Sequence, residues 1–452
     1  MRLAVLAFLA LSACASVPMS EVPERRATQT DLPPMKVFAG RAQQAPARSN
    51  AEIARDFLEL SFEMESGRQL PILTRFEGPI EVELRNAASS SLRNDLDRLI
   101  ARLRREAGID ITLVKRSDTP EIVIETVSRR ELQRYVPQAA CFVVPRVAGW
   151  QDFKRNRRGA VTDWTSLRQR EQVSVLIPRD VSPQEVRDCL HEEVAQALGP
   201  LNDLYRLHDS VFNDDNFHTV LTGFDMTILR AYYAPELRSG MTRDQVAAAL
   251  PGILARINPA GQRSDPGTAA RTPRSWIDAI EKALGPRASS SVRIDAARRA
   301  VAIAQTRGWR DNRLAFSQFA LGRLIMPIDP RGATEAFLSA KQIYDSLPGH
   351  DVQSAHVAMQ LSAFALSAGQ ANSAIGLVEG ALPAAAESEN AALLSTLLMI
   401  KAEALSLTGR RAEAAIVRLD SLGWARYGIG SDREVRSRLT EISALSPART
   451  RF

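Results

Sequence analysis

The stretch C-L-H-E-E-V-A-Q-A-L-G-P-L-N-D, from Cys189 to Asp203, determines how the first half of this 452-residue chain is interpreted. It continues a helix whose start is predicted by S-P-Q-E from Ser182, a capping box with proline in the first turn. Gly199 followed by Pro200 predicts where the helix stops. The stretch therefore belongs to one helix that begins after Ser182 and ends at Gly199.

Two stripes run along this predicted helix at helical spacing. The apolar stripe consists of Val186, Leu190, Val194 and Ala197. The polar stripe consists of Cys189, Glu192, Glu193 and Gln196. Because the apolar stripe is expected to cover the core, the polar stripe faces something else.

A metal-binding helix of the H-E-x-x-H type needs its second histidine one turn after the first. Counted from His191, that position is Ala195, so this register fails. Shifted by one residue, the longer pattern H-E-x-x-H-x-x-G-x-x-H matches its glutamate at Glu193 and its glycine at Gly199. The three histidine positions of that pattern are filled by Glu192, Gln196 and Asn202.

Further matches follow in the order found in the metzincin peptidases. Phe212 stands where the Met-turn methionine would lie, and L-T-G-F-D-M-T-I-L-R-A-Y-Y from Leu221 resembles the closing helix of that family. The resemblance implies a zincin-like, metzincin-like domain in which Glu193 holds the position of the general base.

The altered ligand positions predict a domain that keeps the metzincin-like fold but does not bind zinc or catalyse hydrolysis. Zinc binds imidazole and thiolate well and carboxylate acceptably, whereas amide oxygens are weak donors. We therefore expect no metal cofactor and a pseudoenzyme. An atypical zinc or calcium site, and a metal-dependent peptidase or amidase that uses Glu193 as general base, stay open as alternatives. The run N-D-D-N from Asn213 could offer oxygens to calcium. Weak alternative ligands are His191, His208 and His218.

Strand-like and helical segments alternate ahead of this helix. The five strand-like segments are I-E-V-E-L-R, I-D-I-T-L-V, E-I-V-I-E-T-V, A-C-F-V-V-P and Q-V-S-V-L-I-P. This order predicts an α+β domain in which the helix from Ser182 packs beneath a sheet.

Beyond a composition break, N-P-A-G-Q-R-S-D-P-G-T-A-A-R-T-P from Asn258, strand signals nearly vanish and alanine- and leucine-rich helices take over. A loose repeat begins at Arg331, Gly369 and Gly409, with small residues expected to let paired helices approach closely. These small residues are Ala333, Ala336, Ala371, Ala374, Ala412 and Ala415. The pattern over residues 290–427 resembles tetratricopeptide repeats at a spacing of about 40 residues and implies an all-α array that binds partners. An unrelated helical bundle is the alternative.

The N-terminus predicts export. An apolar run from Leu3 to Leu11 is too short to span a membrane and is typical of a signal peptide. Leu11 to Cys14 resembles the bacterial lipobox, so we expect lipidation at Cys14 and a periplasm-facing protein, anchored by sorting pattern to the outer membrane. Ordinary secretion is the alternative. In an oxidising compartment Cys141 and Cys189 either form a disulfide or stay as two buried thiols.

The chain resembles an uncharacterised family of predicted proteobacterial lipoproteins, the domain of unknown function 2927 type. The stretches that carry this resemblance are F-L-E-L-S-F-E-M-E-S-G-R, T-R-F-E-G-P, C-L-H-E-E-V-A-Q-A-L-G-P-L-N-D, S-V-F-N-D-D-N and Y-A-P-E-L-R-S-G-M. The family implies an envelope lipoprotein and lends no activity.

These observations predict a binding or scaffold protein of the cell envelope, with envelope proteins as partners of the helical repeats and the membrane reached through the lipid. The net charge of +6 comes with no aromatic and basic binding platform, so nucleic acid is not expected as a partner. The predicted segments are a signal peptide over 1–14, a disordered tether over 15–50, the metzincin-like domain over 51–259, a linker over 260–275 and the repeats over 276–452.

Overall fold

The computed structural model describes residues 32–40, 46–86, 89–264, 267 and 271–447. The predicted signal peptide and Cys14 lie outside these residues. The described part begins with an α/β region and continues as a long all-helical region. Within it, no helix combines the length and the apolar character that crossing a membrane requires.

The α/β region is built on one five-stranded mixed sheet, and all five predicted strands are present in it. The strands are β1 (Ile80–Arg85), β2 (Ile111–Val114), β3 (Ile122–Val127), β4 (Phe142–Pro145) and β5 (Val173–Pro178). Their order is β2-β1-β3-β5-β4, with β4 as the antiparallel edge strand. Every residue of β5 is buried, as expected for a central strand covered on both faces.

Seven α-helices accompany the sheet. They are α1 (Asn50–Phe62), α2 (Ser90–Arg102), α3 (Arg129–Tyr135), α4 (Trp150–Asn156), α5 (Pro183–Leu198), α6 (Gly223–Tyr232) and α7 (Arg243–Ile257). The predicted metal-pattern helix is α5, which packs on β4, β5 and α2. Its predicted apolar stripe is buried in the main core.

Both predicted ends of α5 are observed. The Ser182 hydroxyl accepts from the Glu185 backbone N–H at 3.2 Å, which satisfies one of the free amides of the first turn. The helix ends at Gly199, where a Cβ atom would lie 2.8 Å from the ring of Tyr232. A side chain at position 199 would therefore collide with α6, so this glycine is needed for close packing as well as for helix termination.

The helical region is a series of nine helices in the described part of the chain. They are α8 (Arg274–Leu284), α9 (Ser290–Thr306), α10 (Asn312–Ile325), α11 (Pro330–Ser346), α12 (Asp351–Ser367), α13 (Ala371–Glu387), α14 (Ala391–Leu407), α15 (Arg411–Gly428) and α16 (Asp432–Leu445). The pairs α10 with α11, α12 with α13, and α14 with α15 each pack closely. Their spacing gives the helical repeat-like architecture that the sequence predicted.

The small residues of the repeats pack as predicted in two of the three units. Ala333, Ala336, Ala371 and Ala374 are buried. In the third unit Ala412 and Ala415 are exposed, and Ala414 is the buried alanine instead. The prediction for Ala412 and Ala415 was wrong because α15 presents a different face to its neighbours.

The α/β region and the helical region pack against each other through polar contacts. Gln184 donates to the Asn390 side chain at 3.0 Å, and Asn312 donates to the Tyr205 carbonyl at 2.7 Å. Tyr427 donates to Asp95 at 2.7 Å. These contacts join residues more than a hundred positions apart, so the two regions share one extended interface.

Residues 33–40, within the stretch predicted as a tether, lie along α15. The Lys36 backbone N–H donates to the Gly423 carbonyl at 2.9 Å. Phe38 stacks on Trp424 with ring centroids 4.5 Å apart. An apolar ring and a backbone hydrogen bond thus hold this part of the predicted tether against the helical region.

Candidate functional site

The polar face of α5 is the place where the sequence predicted chemistry, and it is turned inward. Glu193, Gln196 and Asn202 are only 5%, 6% and 6% exposed, while Glu192 is half-buried. One carboxylate oxygen of Glu193, Oε2, has no hydrogen-bond partner. The four predicted positions are therefore buried or half-buried, and one carboxylate oxygen of Glu193 has no donor among the described residues.

The side-chain amide of Asn202 forms a structural hydrogen bond. Its nitrogen donates to the Glu59 carbonyl of α1 at 3.0 Å. The end of α5 is held by the buried Arg170, which donates to the carbonyls of Gln196 at 2.5 Å and of Ala197 at 2.7 Å. A cation at a helix C-terminus satisfies free carbonyls and the helix dipole, so this end of α5 is fixed by packing.

His191 is occupied as a structural acceptor. Its Nδ1 accepts the Leu221 backbone N–H at 3.0 Å, at the start of the predicted closing helix. Burial, followed by the charges of Arg187 and Arg102, holds the pKa of His191 well below its usual range. The ring is therefore neutral, and its Nδ1 lone pair is already used.

The other two candidate histidines lie together, at the interface with the helical region. His218 donates from Nε2 to the His208 carbonyl at 2.8 Å, and the His208 ring stacks on that of His350, the residue before α12, with centroids 4.1 Å apart. Burial lowers the pKa of His208 to about 3. His208 and His218 thus belong to the interface between the two regions, whereas His191 is bonded to Leu221.

The N-D-D-N run is a turn stabilised by its own side chains. Asn213 donates to Asp215 at 2.8 Å, and the Asn213 and Asp215 oxygens accept from the backbone amides of Asp215 and Phe217. Asn216 adopts the left-handed conformation, with φ of 58°. These bonds engage the side-chain oxygens of Asn213 and Asp215.

The donor set does not fit a metal ion. Two of the four positions are amides, one of which is bonded to α1, and the neighbouring histidine is engaged elsewhere. Across residues 32–40, 46–86, 89–264, 267 and 271–447, no three histidine, cysteine, aspartate or glutamate side chains are arranged to hold a metal ion. No metal-dependent step can be derived from this geometry.

The sequence did not reveal how many carboxyl groups surround α5. The acidic layer, as we call it, consists of Glu65, Asp188, Glu192, Glu193, Asp203, Asp214 and Asp215. Burial, then the other carboxylates, raises the pKa of Glu192 to about 8 and that of Glu193 well above its usual range. The sequence indicated the acids of α5 through their helical spacing, whereas Glu65, Asp203, Asp214 and Asp215 come from loops.

The structure answers the question that the sequence left open about the cysteines. Cys141 and Cys189 form a disulfide with their Cα atoms 6.0 Å apart. The bond joins the chain just before β4 to the middle of α5. The helix that carries the polar stripe is thus linked covalently to the edge of the sheet.

A cavity of about 960 Å³ lies where the α/β region meets the helical region. From the α/β side it is lined by the start of α5 and by residues 215–219, including Asp188 and Phe217. From the helical side it is lined by α9, α10, α12, α14 and α16, including Arg293 and Arg323. Since neither region encloses this space alone, the cavity exists only in the joined molecule.

No curated protein was found to be similar to the chain. The family model described as Protein of unknown function (DUF2927) matches residues 50–252. That range begins with α1, contains the whole sheet and α5, and ends inside α7. The α/β region therefore belongs to the DUF2927 family.

Proposed function

We propose that this chain is a non-catalytic binding protein of the bacterial cell envelope, whose α/β and helical regions together hold a ligand. The observation that carries the proposal is the cavity of about 960 Å³ between the two regions. Its size is that of known ligand sites, which occur preferentially where domains meet. The partner is a molecule of the envelope, and the protein is held to the membrane through a lipid on Cys14.

The helical repeats supply one wall of the binding site rather than an open concave surface. Phe217, from the α/β region, lies 5.8 Å from Phe316, 5.5 Å from Phe319 and 4.8 Å from His356 between ring centroids. The protein's own chain thus covers part of the inner face of the array. A ligand would bind in the space that remains beside Phe217.

The acidic layer supports a binding role over a hydrolytic one. A general base must be ionised to take a proton from water. Burial and the neighbouring carboxyl groups raise the pKa of Glu193, which opposes this ionisation. On this proposal the α/β region contributes a framework for α5, and the polar side chains on that helix pack against other parts of the chain.

Blocking the cavity tests the proposed function. Gln360 lines the cavity from α12, and Gln360→Trp should fill it. The mature protein would be isolated from the envelope and weighed by native mass spectrometry. We expect an adduct on the unmodified protein that is lost in Gln360→Trp and kept in Gln342→Trp, an exposed position on α11. An adduct that survives in folded Gln360→Trp, or no adduct on any variant, would refute a ligand in this cavity.

The proposed anchor is tested separately by the mass of the mature N-terminal peptide. We expect a chain that begins at Cys14 and carries acyl groups, because buried methylenes contribute about 0.8 kcal/mol each to membrane binding. Cys14→Ser should release the protein from the membrane fraction. An unmodified peptide beginning at Ser16 would show ordinary secretion instead.

The rival function, a metal-dependent peptidase or amidase, is distinguished by elemental analysis. We expect no stoichiometric zinc or calcium after dialysis of the purified protein, and the same melting temperature with and without chelator. Retained metal together with peptide or amide hydrolysis that is lost in Glu193→Gln would overturn the non-catalytic assignment. Glu335→Gln is the matched control, because Glu335 is exposed on α11.

A further inference from the structure

We infer that the cavity binds a short peptide with two free ends, its carboxylate against Arg293 and Arg323 and its amino group against Asp188. The inference rests on the proposed function, because it names the ligand class of the same cavity. It is carried by the two guanidinium groups on one wall, by the carboxyl group with an unpartnered oxygen on the other, and by the apolar surface between them.

The helical wall carries two guanidinium groups that have no carboxylate partner in the described part of the chain. Arg293 of α9 donates from Nε to the Ala283 carbonyl at 2.9 Å, and Arg323 of α10 lies over the Phe319 ring at 5.8 Å. Among the described residues, neither arginine forms an ion pair. Burial and the charge of Arg293 lower the pKa of Arg323, so the two guanidinium groups are close enough to repel each other. A carboxylate between them would remove this repulsion and accept hydrogen bonds from both.

The opposite wall carries the carboxyl group of Asp188, one oxygen of which lacks a donor among the described residues. The Oδ1 atom of Asp188 is buried without a hydrogen-bond partner, and no described residue forms an ion pair with it. Asp215 on the same wall already accepts from Asn213 and from the Phe217 amide. Asp188 is therefore the carboxyl group that a ligand ammonium group would satisfy, since an unpaired buried acceptor is unfavourable.

The cavity surface between the arginines and Asp188 suits the side chains and backbone amides of a peptide. Phe316, Phe319, Met359 and Leu393 supply apolar area, and Gln360 supplies an amide. A fatty acid would satisfy the arginines and the apolar area, but it would leave Asp188 and Gln360 without partners. A peptide satisfies all of these groups, because it carries an amino group, backbone amides and a carboxylate.

The test uses the mature full-length protein and an equimolar pool of tetrapeptides made of alanine, leucine, phenylalanine and glutamine. Bound species are counted by native mass spectrometry with three forms of the pool: free at both ends, amidated at the carboxyl end, or acetylated at the amino end. Dodecanoate is the fourth probe. We expect the free pool to bind and each blocked pool to bind at least tenfold less.

Variants of the protein test which wall of the cavity binds each end of the peptide. Arg323→Gln should weaken the free pool about tenfold and leave the amidated pool unchanged, and Asp188→Asn should do the same with respect to acetylation. Arg331→Gln is the control, because Arg331 is 91% exposed on α11. Circular dichroism spectra of each variant would be compared with that of the unmodified protein to check that the variant is folded.

Equal binding of free and blocked pools, no binding of any peptide, or binding of dodecanoate alone would overturn the inference. If an envelope adduct is lost in Gln360→Trp but is not a peptide, only the ligand class fails. If no such adduct exists, the proposed function fails as well.

Discussion

At the scale of one residue, Asp188 shows how burial in this protein disfavours the ionised form of a carboxyl group. Its carboxyl group lies at the start of α5 and faces the cavity. Burial raises its pKa to about 8 from an ordinary value of 3.8, although the charge of Arg187 acts in the other direction. The folded protein therefore keeps a proton on Asp188 that the unfolded chain releases at much lower pH.

This difference predicts that stability falls as pH rises. Because the folded state binds the proton more tightly, the free energy of unfolding is highest below about pH 4 with respect to this group. It declines toward pH 8 by at most about 1.4 kcal/mol per pH unit. Urea unfolding of Asp188→Asn should show a shallower decline between pH 5 and pH 8 than the unmodified protein. The control Asp118→Asn, in an exposed loop, should keep the original profile. An identical slope in Asp188→Asn would contradict the prediction.

The histidines and glutamates around α5 show which parts of a site the sequence can reveal. The register that aligned Glu192, Glu193, Gln196 and Asn202 followed from spacing along the chain, and spacing survives folding within one helix. The contacts of each side chain could not be inferred from this spacing. The Leu221 amide that bonds His191 comes from a loop thirty residues later, and no local pattern encodes that encounter.

At the scale of the element, α5 depends on the bond between Cys141 and Cys189. The two residues are 48 positions apart, and closing a loop of this length restricts the unfolded chain. In the chain-entropy account, such a bond stabilises the folded state by about 4 kcal/mol. The double variant Cys141→Ala/Cys189→Ala should therefore unfold at a lower urea concentration.

A reductant gives the matched control for this prediction. Dithiothreitol should lower the urea midpoint of the unmodified protein and leave that of the double variant unchanged. A midpoint in the unmodified protein that does not respond to reduction would show that the disulfide adds no stability.

The elements were predictable where local chemistry defines them. Strand-like apolar segments predicted the five strands, and Ser182 and Gly199 predicted the ends of α5. The order of strands in the sheet was not predictable from these signals, because pairing joins segments far apart in sequence. Ala414 is buried in place of Ala412 and Ala415 for the same reason. The packing of α14 against α15 determines which face of α15 is buried, and local sequence does not encode that packing.

At the scale of the whole molecule, a buried ion pair joins α5 to the turn between α13 and α14. Arg187 donates to the Glu389 carboxylate at 3.2 Å, to the Glu389 carbonyl at 2.6 Å and to Thr219 at 3.2 Å. Both partners of the pair are almost completely buried. Breaking such a pair is unfavourable because it leaves a charge in a low-dielectric interior.

We expect Glu389→Gln to destabilise the protein by about 3 kcal/mol, in line with other buried pairs that lose one partner. Hydrogen exchange should become faster in α5 and in α14 together, because the contact links both. Glu379→Gln is the control, since its pair with Lys401 is half exposed and its loss should change stability by less than about 1 kcal/mol. Faster exchange confined to α14 would mean that the two regions unfold independently.

The Arg187 and Glu389 contact also constrains how the protein can change over evolutionary time. The DUF2927 match ends at residue 252, so Arg187 lies inside the shared family region while Glu389 lies outside it. A family member that carries a different C-terminal region would have an arginine without its acid. Positions 187 and 389 are therefore expected to vary together across homologues. We therefore expect that exchanging one half of the chain between relatives requires exchanging the other half as well.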